Sequence, residues 1–350
     1  MKRVFVVLLS MFITIFVVSG QAVCDDDRGK WFENIALNGA VEVEAGFEKF
    51  DYNDPAARDE NSSDIVVATV QVGIDIEIAK HVSGHILFLY EEDYTPLEVD
   101  EAIISIDGED VLPLYLNAGQ MYVPFGNFES HMISDPVTLK LGETRESALV
   151  AGFTTDWLDI CTGVFNGDID ETGKDDKIES YVACTVFTLP ENTVAGIGLS
   201  VGASYISNIG DSDSLEDDIT GSGVATVKDY VAGYSAFISI SAFDRFFFNA
   251  EYMAAADEFA AGELSFDGGR KSKLSTWYAE LTAGVIDDLE IAMRYEASVD
   301  CGTFLPEKRY GATITYGPFA NTSIGIEYLR GKFKNNDETD IVTAQLAIEF

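Results

Sequence analysis

An acidic stretch between residues 168 and 179 carries the clearest metal-ligand spacing in the sequence. Asp168, Asp170, Thr172 and Glu179 stand at positions 1, 3, 5 and 12 of a calcium-loop pattern, with Gly173 at position 6, where such loops turn sharply. Position 5 is a threonine, and strands rather than helices are predicted on both sides. The stretch therefore predicts either a calcium site or a solvated acidic loop.

Two cysteines flank this acidic stretch at nearly equal distances from its centre. Cys161 precedes it and Cys184 follows it, so a tight hairpin would place the two residues nearly opposite each other. A disulfide is then feasible in an oxidising compartment. A small shift in strand register would instead turn the two side chains apart. Cys24 and Cys301 have no obvious partner.

Groups that could catalyse a reaction are few and scattered. The histidines are His81, His85 and His131, and the sequence contains neither a G-x-S-x-G nucleophile motif nor an H-E-x-x-H metal motif. His81 and His85 are spaced for a metal pair on a helix but not on a strand. We therefore expect no enzyme, and a surface enzyme or an adhesin is the alternative of another class.

The charge balance limits the partners of this chain. Its 350 residues include 22 lysines and arginines against 60 aspartates and glutamates, which gives a formal charge of −38. A nucleic-acid partner is excluded because phosphate binding needs clustered basic side chains. Disorder is excluded because hydrophobic residues make up 47% of the chain.

The N-terminus predicts an export signal. Lys2 and Arg3 precede an apolar stretch over residues 4–18, and small residues lead up to a cleavage point after Ala22. The apolar stretch is shorter than the roughly 20 residues of a membrane-spanning helix. We expect a signal peptide over residues 1–22, a short periplasmic segment over 23–33 and one folded barrel over 34–350.

The rest of the chain alternates between apolar and polar residues. In residues 35–47 the apolar side chains share one parity and the charged ones occupy the other, and the pattern recurs at 70–78, 289–296 and 342–350. Period-2 alternation predicts strands with one apolar and one charged face. No helical stripe is present, and no later apolar run approaches the length of a transmembrane helix.

The connections between these strands alternate in length. Seven short turns alternate with eight long connections, which fall at residues 51–63, 91–98, 127–143, 167–178, 207–229, 257–272, 299–308 and 333–339. These connections join 16 strands with both termini on the short-turn side. This is the pattern of an all-β transmembrane antiparallel barrel with short periplasmic turns and long extracellular loops. A soluble β-sandwich also alternates, but the export signal and the terminal Phe350 favour the barrel.

A barrel of this width encloses an aqueous lumen, so a channel is its expected function. The acids predicted to face the lumen are Glu42, Glu44, Asp75, Glu77, Glu290 and Glu296. Pores lined by carboxylates favour cations over anions. We therefore expect passive, cation-preferring diffusion of small hydrophilic solutes through the outer membrane.

The third long connection, 127–143, is the best candidate for a constriction inside the lumen. It combines apolar residues that could pack with charges of both signs, and Pro136 fixes a turn. The candidate residues are Glu129, His131, Asp135, Lys140, Glu143 and, just beyond the connection, Arg145. A loop that only covers the mouth of the barrel is an equally open alternative.

Most of the chain after the signal peptide, and most densely residues 99–190, also resembles a known family. GQMYVPFGNFES at 119–130, ISDPVTL at 133–139 and LGET at 141–144, together with VDEA at 99–102 and VFNGD at 164–168, are similar to the LbtU-type siderophore porins. The resemblance implies a 16-stranded barrel in outer-membrane lipid and TonB-independent uptake of ferric siderophores. A substrate-specific siderophore conduit is the alternative within transport, and a homotrimer is the assembly common among barrels of this size.

Overall fold

The computed structural model describes residues 34–108, 111–175, 177–190, 193–219 and 226–350. The expected signal peptide at 1–22, the segment 23–33 and Cys24 therefore lie outside the described residues. Among the described helices, none combines the length and the apolar character that a membrane crossing requires.

Long antiparallel strands dominate the described chain. The strands of the large sheet are β1 (Ile35–Asp51), β2 (Glu60–Ala79), β3 (Val82–Glu91), β4 (Thr95–Asp107), β5 (Leu114–Tyr122), β6 (Arg145–Thr155), β7 (Leu158–Phe165), β9 (Ser180–Thr188), β10 (Ile197–Ile206), β12 (Gly233–Ala242), β13 (Phe246–Ala255), β14 (Ser275–Ile286), β15 (Leu289–Val299), β16 (Lys308–Phe319), β17 (Thr322–Lys332) and β18 (Glu338–Glu349). The short strands β8 (Asp170–Glu171) and β11 (Thr226–Val227) pair with each other in parallel, away from the large sheet. One α-helix, α1 (Val137–Gly142), lies between β5 and β6.

The large sheet closes on itself as a barrel. β1 pairs with β2 on one side and with β18 on the other, and each of the other strands of the large sheet pairs with the strands of that sheet that precede and follow it. Closure leaves no free edge, which is the condition for a sheet that crosses lipid. In the described part of the chain, the predicted all-β barrel of 16 antiparallel strands is confirmed.

Successive residues of each strand face opposite sides of the barrel wall. On β1, Leu37 is 66% exposed and Phe47 is 45% exposed, whereas Glu42 between them is buried. On β15, Met293 is exposed and Glu296 is buried. The exposed apolar parity forms the outer surface, as lipid contact requires, and the charged parity faces the lumen.

One predicted connection is wrong. The stretch 91–98 was expected to be a long loop, but β3 ends at Glu91 and β4 begins at Thr95, and these two residues pair. Polar side chains suggested a loop, yet backbone pairing near the rim of a barrel does not require an apolar face. The predicted lengths also fail at two other places. Five residues separate β17 from β18, where a long connection is predicted, and eight separate β9 from β10, where a short turn is predicted.

The lumen wall has two chemically different sides. We call the lumen faces of β6, β7, β9 and β10 the apolar wall, because Val150, Phe165, Val182 and Ile206 are buried there in one cluster with side chains of the long connections. We call the lumen faces of β13, β14, β15 and β17 the acidic wall, because the buried glutamates Glu251, Glu280, Glu296 and Glu327 lie there.

Candidate functional site

The connection between β5 and β6, residues 123–144, lies inside the barrel between these two walls; we call it the inner segment. Met132 and Leu141 are completely buried, and α1 packs against β13, β14 and β15. Two residues shape its local course. Gly126 has a φ of +87°, which glycine adopts without strain, and Pro136 stands in extended conformation directly before α1.

Glu251 of β13 anchors the beginning of the inner segment. Its carboxylate accepts the backbone N–H of Asn127 at 2.7 Å and of Phe128 at 3.2 Å. The hydroxyls of Thr138 and Ser235 donate to the same carboxylate at 2.8 Å each. Neutral donors therefore satisfy this buried carboxylate through hydrogen bonds to both of its oxygens.

The same arrangement repeats along the segment at intervals of three residues. Glu280 of β14 accepts the N–H of His131 at 2.6 Å and the hydroxyl of Ser130 at 2.7 Å. Glu327 of β17 accepts the N–H of Ile133 at 2.7 Å and the following N–H at 3.1 Å. The acidic wall therefore holds the inner segment mainly through its backbone amides.

Arg294 of β15 binds the carbonyl side of the same stretch. Its guanidinium donates to the carbonyl oxygens of Ser134 at 2.9 Å and Asp135 at 3.0 Å. Arg294 is completely buried and pairs with Glu280 at 3.4 Å and Glu296 at 3.1 Å. A buried charge of this kind needs such ionic partners, because it is removed from water.

Glu296 completes the anchoring of the segment at the start of α1. Its carboxylate accepts a hydrogen bond from the N–H of Val137 at 2.9 Å and forms an ion pair with Arg309. Arg309 also donates to the carbonyl oxygen of Asp135 at 2.8 Å. Donors and acceptors of the inner segment are therefore both matched by the acidic wall.

The remaining constriction candidates have separate contacts. Glu129 accepts the hydroxyl of Ser239 at 2.8 Å. The His131 ring lies 4.7 Å from that of Phe247, and its Nδ1 lies 3.3 Å from Glu290. Lys140 is exposed, and burial raises the pKa of the half-buried Glu143 well above its usual range.

Arg145 does not contact the acidic wall. Its guanidinium lies 2.8 Å from both Glu98 and Asp100, on the opposite side of the inner segment. Tyr122 also donates to Asp100, at 3.1 Å. The structure therefore brings Asp135 and His131 together with the acidic wall but places Arg145 in a different cluster.

The six acids predicted for the lumen all lie at strand positions that face it. Glu44 accepts the amide of Gln345 at 2.8 Å, and Asp75 accepts that of Asn38 at 2.8 Å. Glu42 and Glu296 are buried, Glu77 is exposed, and the Glu290 side chain is 43% exposed. The accessible members of this set are therefore Asp75, Glu77 and Glu290.

Sequence reasoning missed several lumen acids. Glu251, Glu280 and Glu327 share the parity of the strand residues around them, so extending the alternation to β13, β14 and β17 would have found them. Asp100 and Glu101 are adjacent yet both buried, because the register between β3 and β4 shifts at this point. Such a bulge breaks the period of two and leaves no signal in the alternation.

The calcium site predicted at 168–179 stays a prediction. Asp168, Asp170 and Glu179 do not gather into a group of ligand atoms within 4.8 Å of one another among the described residues. Thr172 donates its hydroxyl to the carbonyl oxygen of Val227 at 3.0 Å instead. Within the stretch, Asp170 and Glu171 form β8 and pair with β11.

Cys161 and Cys184 are register partners on β7 and β9. Their Cα atoms lie 5.1 Å apart, and a disulfide joins them in the apolar wall. Cys301 is buried and free. The disulfide therefore links β7 and β9 covalently within the apolar wall.

No protein-family model matches the chain. A UPF0422 protein of Legionella pneumophila (strain Lens) is 24% identical over 336 residues, which cover 84% of this chain and 58% of the relative. This chain thus spans less than two thirds of that relative's length.

Solved structures of similar fold are outer-membrane porins. The outer membrane channel DcaP of Acinetobacter baumannii has a TM-score of 0.61 at 13% identity, covering 90% of this chain and 97% of DcaP. The anion-selective porin of Comamonas acidovorans has a TM-score of 0.61 at 11% identity, covering 90% and 99%. At these identities the similarity establishes the porin fold, and the ionic preference must be argued from the residues of this chain.

Proposed function

We propose that this protein is a channel of the outer membrane that passes small hydrophilic solutes passively, prefers cations and is narrowed by the inner segment. The observation that carries the proposal is the row of glutamates that fastens this segment to the acidic wall. A segment held across a lumen reduces the cross-section through which a solute can move. Export by a signal peptide over 1–22 and assembly as a homotrimer belong to the same proposal.

The anchoring explains how a narrow passage stays narrow. Each backbone amide that is taken into the lumen needs an acceptor, because an unsatisfied buried donor costs roughly 1–3 kcal/mol. Glu251, Glu280 and Glu327 supply these acceptors from rigid strands. The segment therefore has a fixed position, which a loop that merely covers the mouth would not need.

The preference for cations rests on acids of the lumen wall whose side chains are accessible. Glu290 and Glu77 have exposed side chains, while Arg294 and Arg309 are already engaged with wall glutamates and carbonyl oxygens of the inner segment. Accessible carboxylates raise the local concentration of cations and repel anions. The lumen therefore presents a net negative field to a passing ion.

The test is the reversal potential of the purified protein in a planar bilayer with a potassium chloride gradient. We expect a reversal potential of the sign set by potassium permeation, which shrinks as the salt concentration rises because salt screens the carboxylates. A protein that forms no pores, or one with an anion-selective reversal potential, would contradict the proposal.

A siderophore conduit is the second candidate, and the resemblance of residues 119–144 to siderophore porins supports it. The same segment forms most of the inner segment, so the similar residues lie where a solute would be selected. A negative lumen disfavours anionic ferric chelates and admits neutral or cationic ones. Concentration-dependent block of the single-channel current by a neutral ferric chelate, absent with the iron-free ligand, would support this candidate over a general pore.

A further inference from the structure

A histidine lies between two carboxylates in a part of the lumen wall that the inner segment does not use. Asp75 on β2 is the register partner of His85 on β3. Glu101 on β4 lies two positions from Ile103, which is the register partner of His85 on its other side. Three neighbouring strands therefore present an acid, an imidazole and an acid on one face.

The two sides of the imidazole differ. Nδ1 of His85 lies 2.6 Å from Oδ1 of Asp75, a short hydrogen bond. Nε2 lies 3.4 Å from Oε2 of Glu101 and has no hydrogen-bond partner, and Oε1 of Glu101 has none either. His85 is 4% exposed and Glu101 is 1% exposed, and these two buried groups form an ion pair only while the imidazole carries a proton on each nitrogen.

The hydrogen bond to Asp75 determines what Nε2 can do. When the imidazole is neutral with its proton on Nδ1, its Nε2 lone pair points toward a carboxylate oxygen, and the repulsion between these two groups is relieved by a metal cation between them or by a second proton on the ring. A carboxylate that accepts from one ring nitrogen while the other binds metal is the usual outer support of a metal-binding histidine.

The distance between the two atoms suits a metal ion. Two ligands that each lie about 2.0–2.1 Å from one tetrahedral Zn²⁺ are separated by about 3.4 Å. Nε2 and Oε2 are 3.4 Å apart, longer than a good N–H···O hydrogen bond and equal to that separation.

We propose that Nε2 of His85 and an Oε atom of Glu101 bind one divalent transition-metal cation of the Zn²⁺ or Co²⁺ type, with Asp75 orienting the imidazole. Water from the lumen supplies the remaining ligands, because no third carboxylate, histidine or cysteine joins these two atoms in the described residues. An imidazole ligand favours such cations over Mg²⁺ and Ca²⁺, which prefer oxygen. The site is independent of the proposed channel function.

The experiment is a Co²⁺ titration of the full-length mature protein in detergent, with excess Mg²⁺ present to occupy the other acidic groups. We expect one Co²⁺ per chain with the intense visible bands of a tetrahedral complex, and displacement by Zn²⁺. His85→Gln and the isosteric Glu101→Gln should each abolish the bands. Asp75→Asn should weaken binding by about 10–100-fold, as loss of a supporting carboxylate does.

The matched control is His131→Gln. His131 also lies beside a carboxylate, Glu290 at 3.3 Å, but that pair is partly exposed and its Nδ1 faces the acid. This variant should keep the full Co²⁺ signal. Circular dichroism establishes that each variant retains the barrel.

Two outcomes would overturn the proposal. Absence of a stoichiometric Co²⁺ complex in the unmodified protein would mean that a proton, not a metal, lies between His85 and Glu101. Bands that persist in both His85→Gln and Glu101→Gln would place the metal elsewhere. Because the readout is spectroscopic, a protein that binds Co²⁺ but conducts no ions would overturn only the channel function.

Discussion

The acidic wall and the apolar wall face the same lumen but hold their contents in different ways. On the acidic wall, Glu251, Glu280 and Glu327 accept backbone amides, and Arg294 donates to backbone carbonyl oxygens. On the apolar wall, side chains such as Phe165 and Val182 pack with those of the long connections. On both walls, every second residue of each strand faces the lumen.

The difference reflects what an inserted chain segment needs. Its backbone polar groups require partners, which an apolar surface cannot provide, and its apolar side chains require burial, which a row of carboxylates cannot provide. The inner segment lies between the two walls, so each of its needs is met on a different side. A barrel with two acidic walls or two apolar walls would not position it in this way.

The largest expected effect follows from removing the charge at the centre of the acidic wall. Arg294→Met leaves Glu280 without its arginine and removes the donor to the carbonyl oxygens of Ser134 and Asp135. Breaking a buried ion pair from one side costs roughly 3–5 kcal/mol. We expect a loss of that size in the free energy of unfolding, measured in denaturant with the barrel in detergent, together with noisier single-channel current.

Arg330→Met is the control for that substitution. Arg330 pairs with Glu338 and Asp340, but its side chain is 38% exposed. Exposed pairs contribute about 0–1 kcal/mol, so this variant should be near neutral. Equal effects of the two substitutions would mean that the acidic wall has no special role.

The next effect tests the covalent link in the apolar wall. Replacing both Cys161 and Cys184 with serine removes a disulfide that spans 23 residues of sequence. Loops of this size are stabilised by about 3 kcal/mol when a disulfide closes them. We expect that loss in the free energy of unfolding with little change in conductance, because the inner segment is anchored on the other wall. Cys301→Ser removes a free thiol and should leave the disulfide-linked peptide intact in mass spectra.

A smaller effect concerns pH at the connection between β10 and β12. Burial and neighbouring carboxylates raise the pKa of Asp213 to about 6, of Asp211 to about 7 and of Glu216 to about 8. The folded state therefore holds protons that the unfolded connection would release, so the stability of this connection falls as the pH rises from about 5 to about 8. Hydrogen exchange over residues 207–219, corrected for intrinsic rates, should show less protection at pH 8.

Glu216→Gln provides the control for that pH dependence, because it removes the highest of the three pKa values. In this variant, the backbone amides of residues 207–219 should lose less protection between about pH 5 and about pH 8 than in the unmodified protein. Protection that increases with pH in the unmodified protein would reverse the sign and contradict the account.

The smallest effect separates structural acids from conducting ones. Glu290→Gln removes an accessible carboxylate from the lumen without breaking an anchor of the inner segment backbone. We expect a modest decrease in the reversal potential at low salt and little change in stability. An undiminished cation preference would mean that the selectivity arises in the outer loops.

The barrel followed from local patterns, whereas the anchoring did not. Alternation and turn lengths predict strands, their number and the lumen parity of Glu290 and Glu296, because each depends on residues close in sequence. The contact between Asn127 and Glu251 joins residues 124 positions apart, and no local pattern connects them. Asp100 was missed because a bulge interrupts the period on which the prediction depends.

The central claim is that the inner segment narrows the lumen because the acidic wall holds it there. The most direct test replaces residues 126–141 with a short glycine–serine link and measures single-channel conductance, with circular dichroism to establish that the barrel persists. Water would enter the vacated lumen and solvate the exposed wall charges, so the barrel should survive. We expect a several-fold larger conductance with weaker ion selectivity. A folded barrel with unchanged conductance would contradict it.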